Sequence, residues 1–235
     1  MIEGQSLIET DRLVTLALNG SGSLFLDGII SMFTSMSTWI AVALVTLFIV
    51  FRNNTTKRVM LIFVLLAITV TCCDQLSSSI FKPLFERFRP SQDPEMLNMI
   101  DTVNGYRGGQ FGFFSSHAAN SFGIVVFLMW LIRDSKFGLI VTIWALINSY
   151  TRVYLGVHFV GDILTGIIFG IFFGTVFYWI YRFIVRNDLK PRFSTELYTS
   201  SGYLLKDISL FRLFLYATYL FIVLYVCLVQ GVIPN

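Results

Sequence analysis

The chain has 235 residues, of which 55% are hydrophobic and only 13% charged. An ordinary soluble domain is about a quarter charged, so this composition suits lipid as solvent rather than water. A net charge of +3, with no basic stripe interleaved with aromatics, argues against nucleic acid as a partner.

The length suits one domain over residues 1–235, with no Pro-, Ser- or Gly-rich linker to divide it. Cys72, Cys73 and Cys227 all lie in apolar stretches, and their odd number makes a disulfide framework a poor expectation. The stretch Met1 to Arg12 lacks the positive start and short apolar core of a signal peptide.

A membrane-spanning helix needs about 20 mostly apolar residues. Taken in chain order, Leu13 to Phe25 is interrupted by Gly20-Ser21-Gly22, too broken to cross, and reads as an amphipathic segment at the interface. Gly28 to Phe51 supplies a first span, and Val59 to Phe81 a second with Asp74 inside it. Further spans are predicted from about His117 to Ile132, Phe137 to Tyr150, Asp162 to Val185, and Phe211 to Ile233. The fold class is therefore all-α, a polytopic bundle of about six transmembrane helices, whose motif-bearing core covers 59–185.

Six spans sort the basic residues between two sides. One side holds the 52–58, 133–136 and 186–210 connections, with Arg52, Lys57, Arg58, Arg133, Lys136, Arg182, Arg186, Lys190, Arg192, Lys206 and Arg212. The other holds both termini and the 82–116 and 151–161 loops, with Arg12, Lys82, Arg87, Arg89, Arg107 and Arg152. Positive charge favours the cytoplasm, so the first side is predicted to be cytoplasmic and the second external.

The only two histidines, His117 and His158, both fall where a span meets that external side. Singly, each reads as a capping or hydrogen-bonding residue. Their surroundings add chemistry. Lys82-Pro83-Leu84-Phe85-Glu86-Arg87-Phe88-Arg89-Pro90 places two cations seven residues apart, on one face if the helix continues. They suit lipid-headgroup anchoring or half of a phosphate clamp. Ser115 or Ser116 reads as the N-cap of the third span, where free backbone N–H groups attract anions. In Thr151-Arg152 through Asp162, His158 and Asp162 are four apart, so one helical face carries both. A carboxylate on Nδ1–H fixes the imidazole tautomer and leaves Nε2 free to attack.

The series Lys82-x6-Arg89-Pro90, then Ser115-x-His117, then Arg152-x5-His158-x3-Asp162 resembles the type 2 phosphatidic acid phosphatase superfamily. The likeness covers about a third of the chain, with two departures. Phe114 and Ser116 stand where that family has Pro and Gly, and Thr151 where it has Ser. The resemblance implies that Lys82, Arg89 and Arg152 grip the phosphoryl oxygens, with Ser115, Ser116 and nearby amides adding hydrogen bonds. It implies His158 as nucleophile through a phosphohistidine, Asp162 as its orienting partner, and His117 as acid and then base. No metal and no cofactor are needed, since three fixed cations supply the positive charge.

The activity so implied is hydrolysis of a lipid phosphomonoester or diphosphate of the cell envelope, at an outward-facing site in a bacterial inner membrane. Polyprenyl diphosphate, phosphatidylglycerol phosphate, phosphatidic acid and lipid A phosphate all carry the group these motifs recognise. The alternatives are a phosphotransferase acting from the same histidine, a vanadate haloperoxidase, and a non-enzymatic membrane protein. The last leaves the two histidines and three matched blocks unexplained. Partners are the bilayer and the lipid substrate, and no oligomer is required. The small-xxx-small series Gly166, Gly170, Gly174 predicts close packing within the bundle. Asp74 suits a structural ion pair or hydrogen bond below the site. The segment Asn187 to Asp207 reads as a solvated loop.

Overall fold

The computed structural model describes residues 2–186 and 195–229. It is all-α: among the described residues only two isolated β-bridges interrupt the helical and loop structure. The helices are α1 (Ile2–Leu18), α2 (Leu24–Thr34), α3 (Ile40–Asn53), α4 (Thr56–Gln75), α5 (Lys82–Phe85), α6 (Ser116–Ile132), α7 (Ser135–Tyr154), α8 (Val160–Val185) and α9 (Leu205–Leu228). A π-helical segment, Leu76–Phe81, joins α4 to α5.

By length and composition, four helical stretches are able to cross a membrane: Met36–Asn53, Thr56–Phe85, Val160–Val185 and Leu205–Leu228. The two remaining predicted spans coincide with α6 and α7. At 17 residues α6 is a shorter apolar helix, and α7 carries Asn148, Ser149, Thr151 and Arg152 in its last turns. The end of the last predicted span, at Ile233, lies outside the described residues.

The single span predicted over Gly28–Phe51 is divided. Between α2 and α3 the chain makes a 3-10 turn, Met36–Trp39. The break satisfies carbonyls that the end of α2 would leave open: Thr38 Oγ1 donates to Met32 O (2.7 Å) and Trp39 Nε1 to Phe33 O (2.7 Å). The N-terminal helix also starts earlier than Leu13, and ends where Gly20 and Gly22 take φ of 59° and 64°. It lies against α7 and α8.

The centre of the bundle is the α6–α8 pair. Gly166, Gly170 and Gly174 face α6 so closely that a Cβ on each would stand 2.5 Å from the carbonyl oxygens of Ser115, Ala119 and Gly123. Packing within one bundle is thus what the small-residue series does. Around it, Phe122, Phe127, Leu128, Leu131, Phe137 and Leu215 join one buried apolar cluster.

Loop contacts gather at two opposite ends. At one, Asn53 and Asn54 bond Asp207 (2.8 Å) and the Tyr203 hydroxyl (2.7 Å), and Ser201 donates to Ile132 O (2.5 Å). Part of the segment predicted to be solvated is therefore folded onto the bundle, with Thr199, Tyr203 and Asp207 buried. Residues 187–194 of that segment lie outside the described residues. All three cysteines are free thiols. The other end carries the three motif blocks.

Candidate active site

The first block departs from its predicted helix. At Glu86 the chain turns left-handed (φ 46°), so α5 stops at Phe85 and Lys82 and Arg89 share no helical face. Pro90 disfavours helix at the preceding residue, and Arg89 is extended (φ −72°, ψ 154°). Instead, 87–89 pairs with 110–112. Arg89 N donates to Gln110 O (3.0 Å), Gly112 N to Arg87 O (2.9 Å), and Phe88 bridges Phe111.

This pairing carries Arg89 to the third block. Its Nη1 donates to Val157 O (3.2 Å) and lies 3.4 Å from His158 Nε2, while Nε donates to Phe111 O (3.2 Å). Two glycines make room. A Cβ on Gly108, which has φ 66°, would come within 2.9 Å of Arg89 Nη1. One on Gly112 would meet Asp162 Oδ2 at 3.0 Å.

His158 and Asp162 meet, though not on one helical face. His158 precedes α8, whose N-cap is Phe159, and Asp162 is the third residue of the helix. Asp162 Oδ2 accepts a hydrogen bond from Phe159 N (3.1 Å), a carboxylate returning to the start of its own helix. The same oxygen stands 3.3 Å from His158 Nδ1. Asp162 is fully buried, and His158 is 4% exposed. Burial pushes the His158 imidazole down to about 4, more than the opposing pull of Asp162 restores, so the ring is neutral at neutral pH.

Arg152 lies in the last turn of α7, 7% exposed, with Nε donating to Thr151 Oγ1 (3.3 Å). Thr151 thus keeps the hydroxyl of the Ser it replaces. The Arg152 carbonyl accepts from Val157 N (3.0 Å) and His158 N (3.3 Å), tying the turn that bears the histidine to the helix that bears the arginine.

Ser115 is the N-cap of α6, its Oγ accepting from Ala118 N (3.4 Å) and its own N–H donating to Asp162 O (3.1 Å). Ser116 and His117 open the helix, and His117 is exposed. Arg152, Arg89, Lys82 and the His158 ring all lie near His117. Phe114 is fully buried, stacked on Phe169 (4.7 Å) and edge-on to Phe81 (5.2 Å). Its carbonyl accepts from Ser77 Oγ (2.7 Å) in the π segment. The aromatic ring in place of Pro therefore fills a pocket between α4 and α8. Lys82 donates to Ser78 Oγ (3.2 Å), and the charges of Arg89, Asp74 and Asp162 act on it.

All eight residues singled out in the sequence thus belong to one end of the bundle. Three others were not singled out. Arg87 donates to Asp162 Oδ1 (2.8 Å) and to Asp11 Oδ2 (2.7 Å), and its guanidinium covers the Phe159 ring at 4.1 Å. Tyr106 lies near both Arg89 and Arg152. A signal for Asp11 was available: Asp11, Thr15 and Asn19 recur every four residues along a stretch that is apolar apart from Arg12.

Comparison with known proteins gives the family and the fold. The profile of the PAP2 superfamily matches residues 60–186, which include all three blocks. The chain is 43% identical over 168 residues to a lipid A 4'-phosphatase of Bacteroides thetaiotaomicron, covering 71% of this chain and 73% of that one. It is 39% identical over 163 residues to a lipid A 4'-phosphatase of Porphyromonas gingivalis, covering 68% of each. A solved structure, the first transmembrane PAP2 type phosphatidylglycerolphosphate phosphatase from Bacillus subtilis, shares the fold. Its TM-score is 0.56 at 19% identity, over 80% of this chain and 90% of that one. With its helical bundle, its clustered motif blocks and these relatives, the chain belongs to the PAP2 superfamily.

Proposed function

We propose that this membrane lipid phosphatase removes a phosphate monoester from lipid A through a phosphohistidine at His158. The observation that carries the mechanism is the line from Asp162 Oδ2 through the His158 ring to Arg89, at 3.3 Å and 3.4 Å. A neutral imidazole held by a carboxylate on Nδ1 presents the Nε2 lone pair where Arg89 brings a phosphoryl oxygen. Attack expels the lipid alkoxide, which His117 protonates, and His117 then deprotonates the water that hydrolyses the phosphohistidine.

Lys82, Arg89 and Arg152 neutralise charge building on the equatorial oxygens, the electrostatic work that otherwise falls to a metal. Among the described residues, no three His, Cys, Asp or Glu side chains converge as a metal site requires. The choice of lipid A rests on the two relatives named lipid A 4'-phosphatase. The external, periplasmic placement of the site in an inner membrane rests on the division of basic residues, eleven against six.

The experiment is phosphate release by purified protein in detergent from lipid A, phosphatidylglycerol phosphate, phosphatidic acid and a polyprenyl diphosphate, with and without chelator. Release fastest from lipid A and indifferent to chelator is the expected outcome. Preference for another lipid replaces the substrate, and loss restored by magnesium replaces the mechanism.

A further inference from the structure

The end of the bundle that holds the site is braced by a helix outside all three motif blocks. Asp11 and Thr15 are one turn apart on one face of α1, and Asn19 is the first residue past its end. Each bonds one of the two helix ends that flank the turn carrying His158. Asp11 Oδ1 accepts from Gly161 N (2.8 Å), and the buried Thr15 Oγ1 from Val160 N (3.1 Å). Asn19 Nδ2 donates to the carbonyls of Val153 (3.2 Å) and Tyr154 (2.8 Å). The amides of Val160 and Gly161 are among those a helix start leaves without an internal acceptor, so α1 caps α8 from outside.

The second oxygen of Asp11 reaches further. Asp11 Oδ2 accepts from Arg87 Nη2 at 2.7 Å, and Arg87 Nη1 donates to Asp162 Oδ1 at 2.8 Å. Asp162 is 0% exposed, and a carboxylate buried so fully needs both oxygens occupied. Arg87 engages Oδ1, which turns Oδ2 toward Phe159 N and the His158 ring. Without that contact the carboxylate is free to rotate about its last torsion, and the imidazole loses the partner that sets its tautomer.

We propose that Arg87 and Asp11 are positioning residues of the reaction, acting on His158 through Asp162, and that α1 is a working part of the active centre. The inference rests on the reading of His158 as nucleophile. Among the described residues, no side-chain hydrogen bond or ion pair joins Arg87 or Asp11 to Lys82, Arg89 or Arg152, so the grip and the alignment are separable in kinetics.

The test measures kcat, KM and vanadate inhibition for Arg87→Ala, Arg87→Lys, Asp11→Asn and the Arg87→Ala/Asp11→Asn double variant. Rates are scaled to folded protein by thermal unfolding and size-exclusion in detergent. Misplacing a reacting group by about an ångström costs on the order of 100-fold. Arg87→Ala is accordingly expected to lose about that factor in kcat, with KM and vanadate affinity within about twofold of the parent. Asp11→Asn loses about tenfold alone but nothing more in the Arg87→Ala background, because it acts through the arginine. Arg87→Lys, which keeps a cation between Asp11 and Asp162, recovers part of the loss. Three outcomes overturn the proposal: unchanged kcat per folded molecule, a rise in KM with kcat intact, or full additivity in the double variant. His158→Ala is run alongside. Turnover surviving in that variant removes the nucleophile reading itself, whereas its loss beside an unaffected Arg87→Ala removes only the brace.

Discussion

Arg89 and Asp162 lie on opposite edges of the His158 ring, the guanidinium 3.4 Å from Nε2 and the carboxylate 3.3 Å from Nδ1. One edge of the imidazole is thereby committed to orientation and the other to phosphate. Asp162→Asn keeps the shape and removes the charge. In a serine-protease triad the matching change costs about 10⁴-fold in kcat, through the wrong tautomer. A loss of roughly 10²–10⁴-fold is expected here by the same logic, with vanadate affinity retained. Loss of vanadate affinity in step with kcat would assign Asp162 to the phosphate grip instead.

The neutrality of His158 makes a prediction about pH. Its folded pKa of about 4 lies below the ordinary 6.5, chiefly through burial. As pH falls through 6.5 the free enzyme's ring stays neutral, and it is protonated only as pH approaches 4. The acid limb of kcat/KM, corrected for ionisation of the substrate phosphate, should therefore lie below 6.5. The same depression acts on stability, because the unfolded chain takes up the proton first. This contribution is complete above pH 6.5 and is lost as pH falls toward 4. A corrected acid limb at 6.5 itself contradicts the buried neutral ring.

The glycine seam between α6 and α8 predicts where stability is most sensitive. A Cβ at Gly170 would meet Ala119 O at 2.5 Å and Phe122 Cβ at 2.8 Å, so Gly170→Ala must separate the two helices. Overpacking of this kind costs about 1–3 kcal/mol. Gly109, with no neighbour within 4 Å of an added Cβ, serves as the control, its alanine variant expected within about 0.5 kcal/mol of the parent. Thermal unfolding of both variants in one detergent compares them directly. Equal midpoints contradict the tight seam.

Sidedness is testable at two exposed positions. A cysteine at Gly109, on the loop above Arg89, should react with an impermeant thiol reagent in intact cells, while one at Thr55 should not. Cys72, Cys73 and Cys227 are replaced beforehand to remove background. The reverse pattern places the site in the cytoplasm.

The gathering of the candidate residues at one end was legible in the sequence because charged and histidine side chains are rare in a chain so apolar, and their spacing survives any local backbone. Backbone was harder to foresee. The Lys82–Arg89 spacing suggested a shared helical face, but the left-handed turn at Glu86 and pairing of Arg89 with Gln110 bring the cation in from a loop. The i, i+4 spacing of His158 and Asp162 foretold their contact for a different reason than the one that produces it, a helix start instead of a helix face. Hydropathy counted Gly28–Phe51 as one piece because it sees composition and not the Thr38 and Trp39 bonds that close α2. Asp11 escaped because its partners, Arg87 and Gly161, are distant in sequence.

The two histidines are predicted to do different work. His158 is buried against Asp162, with its Nε2 edge toward Arg89, the arrangement of a nucleophile. His117 is exposed at the start of α6, beside the capping Ser115 and near Arg152, Arg89 and Lys82, and among the described residues no carboxylate hydrogen-bonds it. That is the place of a proton carrier facing the leaving group and the incoming water. His158→Ala should abolish turnover and any acid-labile phosphoenzyme. His117→Ala should be slow with alkyl phosphates, whose alkoxide leaves poorly without a proton, by about 10²–10⁴-fold. An aryl phosphate has a leaving group that needs little protonation, so its first step should recover in the His117 variant. Water is then no longer activated for the second step, and phosphohistidine should accumulate at position 158. Rapid quenching with labelled aryl phosphate, followed by peptide mapping, reads the position directly. Label on His117 in the parent enzyme reverses the two roles, and an unlabelled but active His117→Ala variant removes the covalent step.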